Sequence, residues 1–141
     1  MKLEAKHLAS YLPYGLKVRY NNKEYLVHAI DVKGRLMLET EPMYVVFMNI
    51  KYVKPILRPL SSMSLEEIDE LNSLIDDSVM VVVSSGDWVY IEGLNSDPWS
   101  GSPTLSLYSI NKINDYLLSK HFDVFRLISK GLAIEKNINT K

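Results

Sequence analysis

The sequence predicts an α+β domain: an N-terminal antiparallel β-meander of the SH3-like kind, then a capped helix, a β-hairpin and two C-terminal helices. Three observations carry this prediction. Between residues 16 and 53, short runs of apolar and polar residues are broken by turn clusters, the pattern of half-buried strands in an antiparallel sheet. Ser64 and Glu67 have the spacing of a capping box ahead of an apolar stripe. Val79-Met80-Val81-Val82-Val83 is a continuous apolar run, followed by Gly86-Asp87 and then Trp88-Val89-Tyr90-Ile91, which reads as a buried hairpin.

Taken in order, Glu4 to Leu12 can form a short helix with Leu3, His7, Leu8 and Tyr11 on one side, and Pro13 is expected to stop it. Leu16-Lys17-Val18-Arg19-Tyr20 alternates apolar and basic residues and predicts the first strand. Asn21-Asn22-Lys23 is a turn, and Glu24 to Val32 the second strand. Lys33-Gly34 turns the chain into Arg35-Leu36-Met37-Leu38-Glu39, and Tyr44 to Val53 is a fourth, longer strand. Connections this short make the strands an antiparallel meander, and strong curvature would close it as a small barrel. Pro55 and Pro59 bracket an expected connector. The capped helix follows, with Met63 and Ile68 at staple positions and Leu65, Ile68, Leu71, Leu74 and Ile75 as its expected buried stripe. Ser109 is expected to cap a helix running to about Lys120, and Asp123 a second one, stapled by Phe122 and Leu127 and ended by Gly131. Two units, residues 1–60 and 61–141, are expected to share one core.

The chain has 141 residues, 47% hydrophobic and 23% charged, which suits a packed domain. It has no cysteine, which excludes disulfides, thiolate metal sites and a cysteine nucleophile. Charges at Lys2, Glu4 and Lys6 interrupt the stretch where a signal peptide would be apolar, and no apolar run reaches membrane-spanning length. A cytoplasmic setting without a membrane partner is the expectation. Residues 1–60 hold ten Lys/Arg against five Asp/Glu, whereas residues 61–100 hold no Lys/Arg and nine Asp/Glu. Such asymmetry can mark an electrostatic partner surface, or basic and acidic segments that face each other within the fold. Glu66, Glu67, Asp69 and Glu70 lie in the first turns of the capped helix, where the helix dipole favours negative charge.

Residues that could carry chemistry are few. His7, His28 and His121 have no ligand spacing to one another, so no metal and no cofactor is expected. His121-Phe122-Asp123 sets an imidazole near a carboxylate, but Asp123 reads as an N-cap and His121 as a helix terminator. No P-loop, dinucleotide fingerprint or nucleophile elbow is present, and no catalytic residue is assigned. Lys17, Arg19, Lys23, Lys33 and Arg35 lie on or between the first three strands, with Tyr14, Tyr20 and Tyr25 interleaved. Cations for phosphates and aromatics for bases are what single-strand nucleic-acid binding needs. The plainer alternative is that the tyrosines fill the core while the basic residues solvate the other face. Trp99, in the polar stretch Asp97-Pro98-Trp99-Ser100-Gly101, either folds back on the core or anchors a protein partner. Lys54 and Arg58 could face an anion, or belong to a structural joint between a strand and the capped helix.

Three segments carry a resemblance. They are Tyr11-Leu12-Pro13-Tyr14-Gly15-Leu16-Lys17-Val18, the stretch from Lys54 to Ser64 (KPILRPLSSMS), and the stretch from His121 to Ala133 (HFDVFRLISKGLA). Together they resemble a group of small proteins carried by prophages and mobile elements of gut bacteria, a group without an assigned activity. The resemblance implies a phage-associated setting and no mechanism. Arg126 stands where it leads one to expect glycine, and as the third residue of the expected helix it fits there. The leading expectation is a non-enzymatic accessory protein that binds another macromolecule, a protein above all. The alternative is a nucleic-acid-binding module working through the basic strands.

Overall fold

The computed structural model describes residues 2–40, 44–74, 80–85, 88–93 and 107–136. Within them the chain is α+β, with three α-helices, a six-stranded mixed sheet and a separate two-stranded sheet. Helix α1 spans Ala5–Ala9 and runs on into a 3₁₀ turn, Leu12–Tyr14. Pro13 therefore does not stop the segment. It sits at the start of the 3₁₀ turn, where its missing N–H has no role. Leu3, His7, Leu8 and Tyr11 share the buried side, as their spacing predicts. The Glu4 N–H donates to His7 Nδ1 at 3.0 Å, and the imidazole meets the Phe125 ring edge-on at 5.2 Å.

Strands β1 (Lys17–Tyr20), β2 (Lys23–Ile30), β3 (Arg35–Thr40) and β4 (Tyr44–Asn49) form the expected antiparallel meander. Tyr20 pairs with Lys23 across a two-residue turn whose asparagines, Asn21 and Asn22, both have positive φ (49° and 63°). Such turns match the strand twist, and asparagine tolerates this backbone better than most residues. A register shift between Val27 and Ala29 marks a bulge in β2. It bends the strand, so that the first half pairs with β1 and the second with β3.

The fourth strand is shorter than expected. The Asn49 side chain accepts the Lys51 N–H at 3.0 Å and starts a 3₁₀ turn, Ile50–Tyr52. The expected connector after it is a strand, β5 (Lys54–Leu57). Helix α2 (Leu65–Ser73) carries the predicted capping box: Ser64 Oγ accepts the Glu67 N–H at 3.1 Å, and Glu67 Oε1 accepts the Ser64 N–H at 3.0 Å. Leu71 is buried, and Ile68 and Leu74 are partly so, but Leu65 is 81% exposed and does not belong to the stripe. Ile75 lies outside the described residues.

Strands β6 (Met80–Ser85) and β7 (Trp88–Gly93) form the expected antiparallel hairpin, with Ser85 opposite Trp88. Among the described residues they pair with each other and not with the larger sheet. Gly86-Asp87 and Val79 lie outside the described residues. Helix α3 spans Leu107–Ser119, so Ser109 is buried inside it and does not cap it. Strand β8 (Ile134–Glu135) completes the sheet, whose order is β4-β3-β2-β1-β5-β8. β5 thus lies between β1, antiparallel, and β8, parallel. Proline is unusual in an interior strand; here Pro55 faces Val18, and pairing on the β8 side begins only at Ile56.

The second C-terminal helix does not form. His121, at φ 62°, closes α3 as a Schellman motif, with the Phe122 N–H on Leu117 O and the His121 N–H on Leu118 O, both at 3.0 Å. Arg126, expected as a helical residue, stands at φ 58°, in the left-handed region that interrupts a helix and that glycine occupies without strain. The segment is a chain of turns organised by Asp123. Its Oδ1 accepts the Leu127 N–H and its Oδ2 the Ile128 N–H, each at 2.8 Å. Gly131, expected to end a helix, stands at φ 72° at the end of the last turn.

Two apolar clusters hold these elements together. The first gathers Leu8, Tyr11, Leu16, Val18, Leu36 and Leu38 around Leu118, Leu127 and Ala133 from the C-terminal part. The second joins Met63 and Leu71 to Ile113, Leu117 and Phe122. Among the described residues no helix is long and apolar enough to cross a membrane.

Candidate functional site

The five basic residues singled out in the sequence do not converge. Lys23 and Lys33 flank opposite ends of the eight-residue β2, which puts them on the order of 25 Å apart. Arg19 forms an ion pair with Glu24 at 3.3 Å, its neighbour across the β1–β2 ladder. Arg35 Nε donates to Asp31 Oδ2 at 2.7 Å, and its guanidinium lies 5.0 Å from the centre of the Phe47 ring. Asp31 also accepts the backbone N–H groups of Arg35 and Lys33, and these bonds hold its carboxyl below the ordinary aspartate range. Arg35 and Lys33 are therefore parts of a turn. The structure instead brings Lys54 of β5 directly opposite Arg19, on the same face as Lys17. Lys54 continues into a second basic surface. Lys2, Lys51 and Lys54 rim a hollow of about 440 Å³ whose other lining residues include Leu3, Val53 and Leu132. No spacing in the chain marks this group, because Lys2 reaches it only through tertiary folding.

Arg58, the other cation of that segment, is structural. Its two terminal nitrogens each donate to a Glu67 carboxylate oxygen at 2.8 Å, and Nη2 also donates to Ser62 O at 3.2 Å. The guanidinium stacks 4.2 Å from the centre of the Phe122 ring. The Arg58 main chain bridges to Phe122 as well, accepting the Asp123 N–H and donating to His121 O, both at 2.8 Å. The Arg58 guanidinium holds the Glu67 carboxyl at about 2, well below its ordinary value. One residue thus ties β5, the capping box of α2 and the start of the turn segment together.

The histidines are dispersed. His121 Nε2 lies 2.6 Å from Tyr14 O, which makes that nitrogen the protonated one, while the Asp123 carboxylate is taken up by backbone donors. The two do not form a catalytic pair. His28 is exposed and 4.0 Å from Glu39. Among the described residues no group of three or more His, Asp or Glu could hold a metal ion. A smaller cleft of about 180 Å³ lies between Pro59–Ser61 and the turns at Arg126–Ser129. Trp99 lies outside the described residues.

Among the described residues, β4 carries the longest run of exposed apolar side chains. It is the terminal strand of the sheet and, among the described residues, pairs only with β3. Tyr44, Val45, Val46 and Phe47 are 68%, 39%, 40% and 53% exposed, so side chains on both faces of the strand meet solvent. No residue from Tyr44 to Asn49 is charged and none is proline. Edge strands usually carry such residues to block pairing with other chains. The visible signal in the sequence was the loss of alternation: Tyr-Val-Val-Phe-Met lacks the polar positions that every earlier strand has. Comparison with protein-family models, with curated proteins and with solved structures finds no match.

Proposed function

We propose that this chain is a non-enzymatic, phage-associated accessory protein that acts by binding another protein through the open edge of β4. The observation that carries this reading is the six-residue, charge-free strand with its apolar side chains exposed and one hydrogen-bonding edge unpaired among the described residues. A partner segment that adds as a further strand would satisfy those backbone groups and cover the side chains. An SH3-like architecture accords with the antiparallel order β4-β3-β2-β1-β5, the bulge in β2 and the short connections. The phage-associated setting rests on the three segments of resemblance. Expected results are capture of a defined partner by the native chain, slowed hydrogen exchange at residues 44–49 in the complex, and loss of both with Val46→Lys. Because Val46 is already 40% exposed, that variant should keep its fold. Capture that survives Val46→Lys, with unchanged exchange at β4, would refute the reading.

A second reading, single-stranded nucleic-acid binding, is supported by the adjacency of Lys17, Arg19 and Lys54 on one face of β1 and β5. On that reading Lys17→Glu/Arg19→Glu removes a salt-sensitive anisotropy signal with labelled oligonucleotides. An unchanged signal, or none at low salt, sets it aside. Lys23, Lys33 and Arg35 would contribute little, being separated along β2 or held in the Asp31 turn.

A further inference from the structure

We infer that the hollow rimmed by Lys2, Lys51 and Lys54 binds a small amphipathic anion: an apolar body carrying one phosphate or carboxylate head. This goes beyond the strand-edge reading and is independent of it.

Three features of the hollow point to this ligand. Its volume of about 440 Å³ falls in the range of small-molecule sites. Besides Asn49, its other lining residues are aliphatic, Leu3, Ile50, Val53 and Leu132, and Leu3 and Val53 are 8% and 3% exposed, so those two side chains belong to the packed core and hold a fixed shape. Three lysines, Lys2, Lys51 and Lys54, are among its lining residues, and no Asp or Glu is. Neither Lys51 nor Lys54 forms an ion pair among the described residues; Lys51 Nζ lies 5.0 Å from the centre of the Tyr52 ring. Like charges around one opening repel, and a single anionic head among them relieves that repulsion. An inorganic anion would use the rim alone, and a neutral apolar molecule the wall alone. The arrangement suits a molecule that has both parts.

The local backbone positions these groups. The Asn49 carbonyl oxygen of the side chain accepts the Lys51 N–H at 3.0 Å, which fixes the 3₁₀ turn. That turn carries Lys51 on its middle residue and delivers Lys54 at the first position of β5. Lys2 arrives from the segment ahead of α1, one residue before the buried Leu3.

The test is calorimetric titration of the whole chain with octyl phosphate, octanoate, inorganic phosphate and octyltrimethylammonium. The expected result is saturable binding of one octyl phosphate or octanoate per chain, weakened by salt. Inorganic phosphate should bind about 100-fold more weakly, since it buries no methylene groups. The ratio between the first two probes assigns the head group: a preference for octyl phosphate of about tenfold or more means phosphate, and parity means any compact anion. Lys51→Gln/Lys54→Gln should weaken octyl phosphate about tenfold and leave the thermal midpoint unchanged, because both side chains are exposed. Absence of saturable binding, equal affinity for the cationic probe, or full affinity in the double variant would each overturn the inference.

Discussion

Replacing Arg58 with alanine should destabilise the fold by about 3 to 5 kcal/mol, the range seen when one partner of a buried ion pair is removed. The side chains of Arg58 and Glu67 are 15% and 14% exposed, so a stranded Glu67 carboxylate would be poorly hydrated. The loss also includes the stacking on Phe122 and the bond to Ser62 O. Glu67→Gln should cost less, about 2 kcal/mol, because the amide keeps one acceptor for the capping box. Urea unfolding of the two single variants and of Arg58→Ala/Glu67→Gln checks this. The double variant should lose less than the sum of the singles, since the pair acts as a unit. The same pair sets a pH dependence. The Glu67 carboxyl is lowered to about 2 from an unfolded value of 4.5, so its stabilisation is complete above 4.5 and is lost as pH falls toward 2. After allowance for solvent at the rim, about 2 kcal/mol should disappear across that window, and Arg58→Met should flatten the profile there. An unaltered acid limb in Arg58→Met would mean that other carboxylates control it.

Tyr11→Phe should cost about 1 kcal/mol, although it removes a single oxygen atom. Tyr11 is fully buried. Its hydroxyl donates to Phe122 O at 2.5 Å and accepts the Val124 N–H at 3.2 Å. Burial pushes the phenol well above its usual value, so it stays protonated and keeps donating. Phenylalanine would remove the hydroxyl that both groups share and leave them only the bond they make to each other, Val124 N–H to Phe122 O at 2.9 Å. Tyr11→Ala should cost about 3 to 5 kcal/mol, since the ring also packs edge-on against Phe125 at 6.3 Å. The denaturation midpoint should shift with little change in slope. A shift from Tyr11→Phe within about 0.5 kcal/mol would mean that water or a backbone adjustment replaces the hydroxyl.

The parts of the fold that local chemistry decides were legible in the sequence. The asparagine turn after Tyr20, the capping box at Ser64 and the buried side of α1 follow from spacing and residue type alone. The misreadings have physical causes. Lys54–Leu57 reads as a connector because two prolines bracket it, yet β1 and β8 accept it as a strand since neither demands the Pro55 N–H. The turns after Phe122 read as a helix because Asp123, Leu127 and Gly131 stand where caps and a staple would stand. Arg126 decides otherwise by its left-handed backbone, which no propensity of arginine announces. Of the candidate surfaces, the strand basics were visible as charges but not as partners: Glu24 and Asp31 neutralise two of them through contacts set by register and turn geometry. The lysine hollow was invisible, because its members come from positions 2, 51 and 54 and meet only when β5 is in place.

The position of β8 bears on how the chain can be made. Ile134 lies beside Ile56, and the first apolar cluster needs Leu118, Leu127 and Ala133 as well as the early strands. A ribosome that has released only the meander has therefore released an unfinished core with β5 still open on one side. Such long-range closure slows folding, and the nascent chain meanwhile presents two bare strand edges, β4 and β5. Growing polypeptides of this kind are prone to pair with one another. Synthesis should accordingly be most vulnerable to aggregation before residue 135 emerges, and a truncation ahead of α3 should be degraded or insoluble rather than a working half.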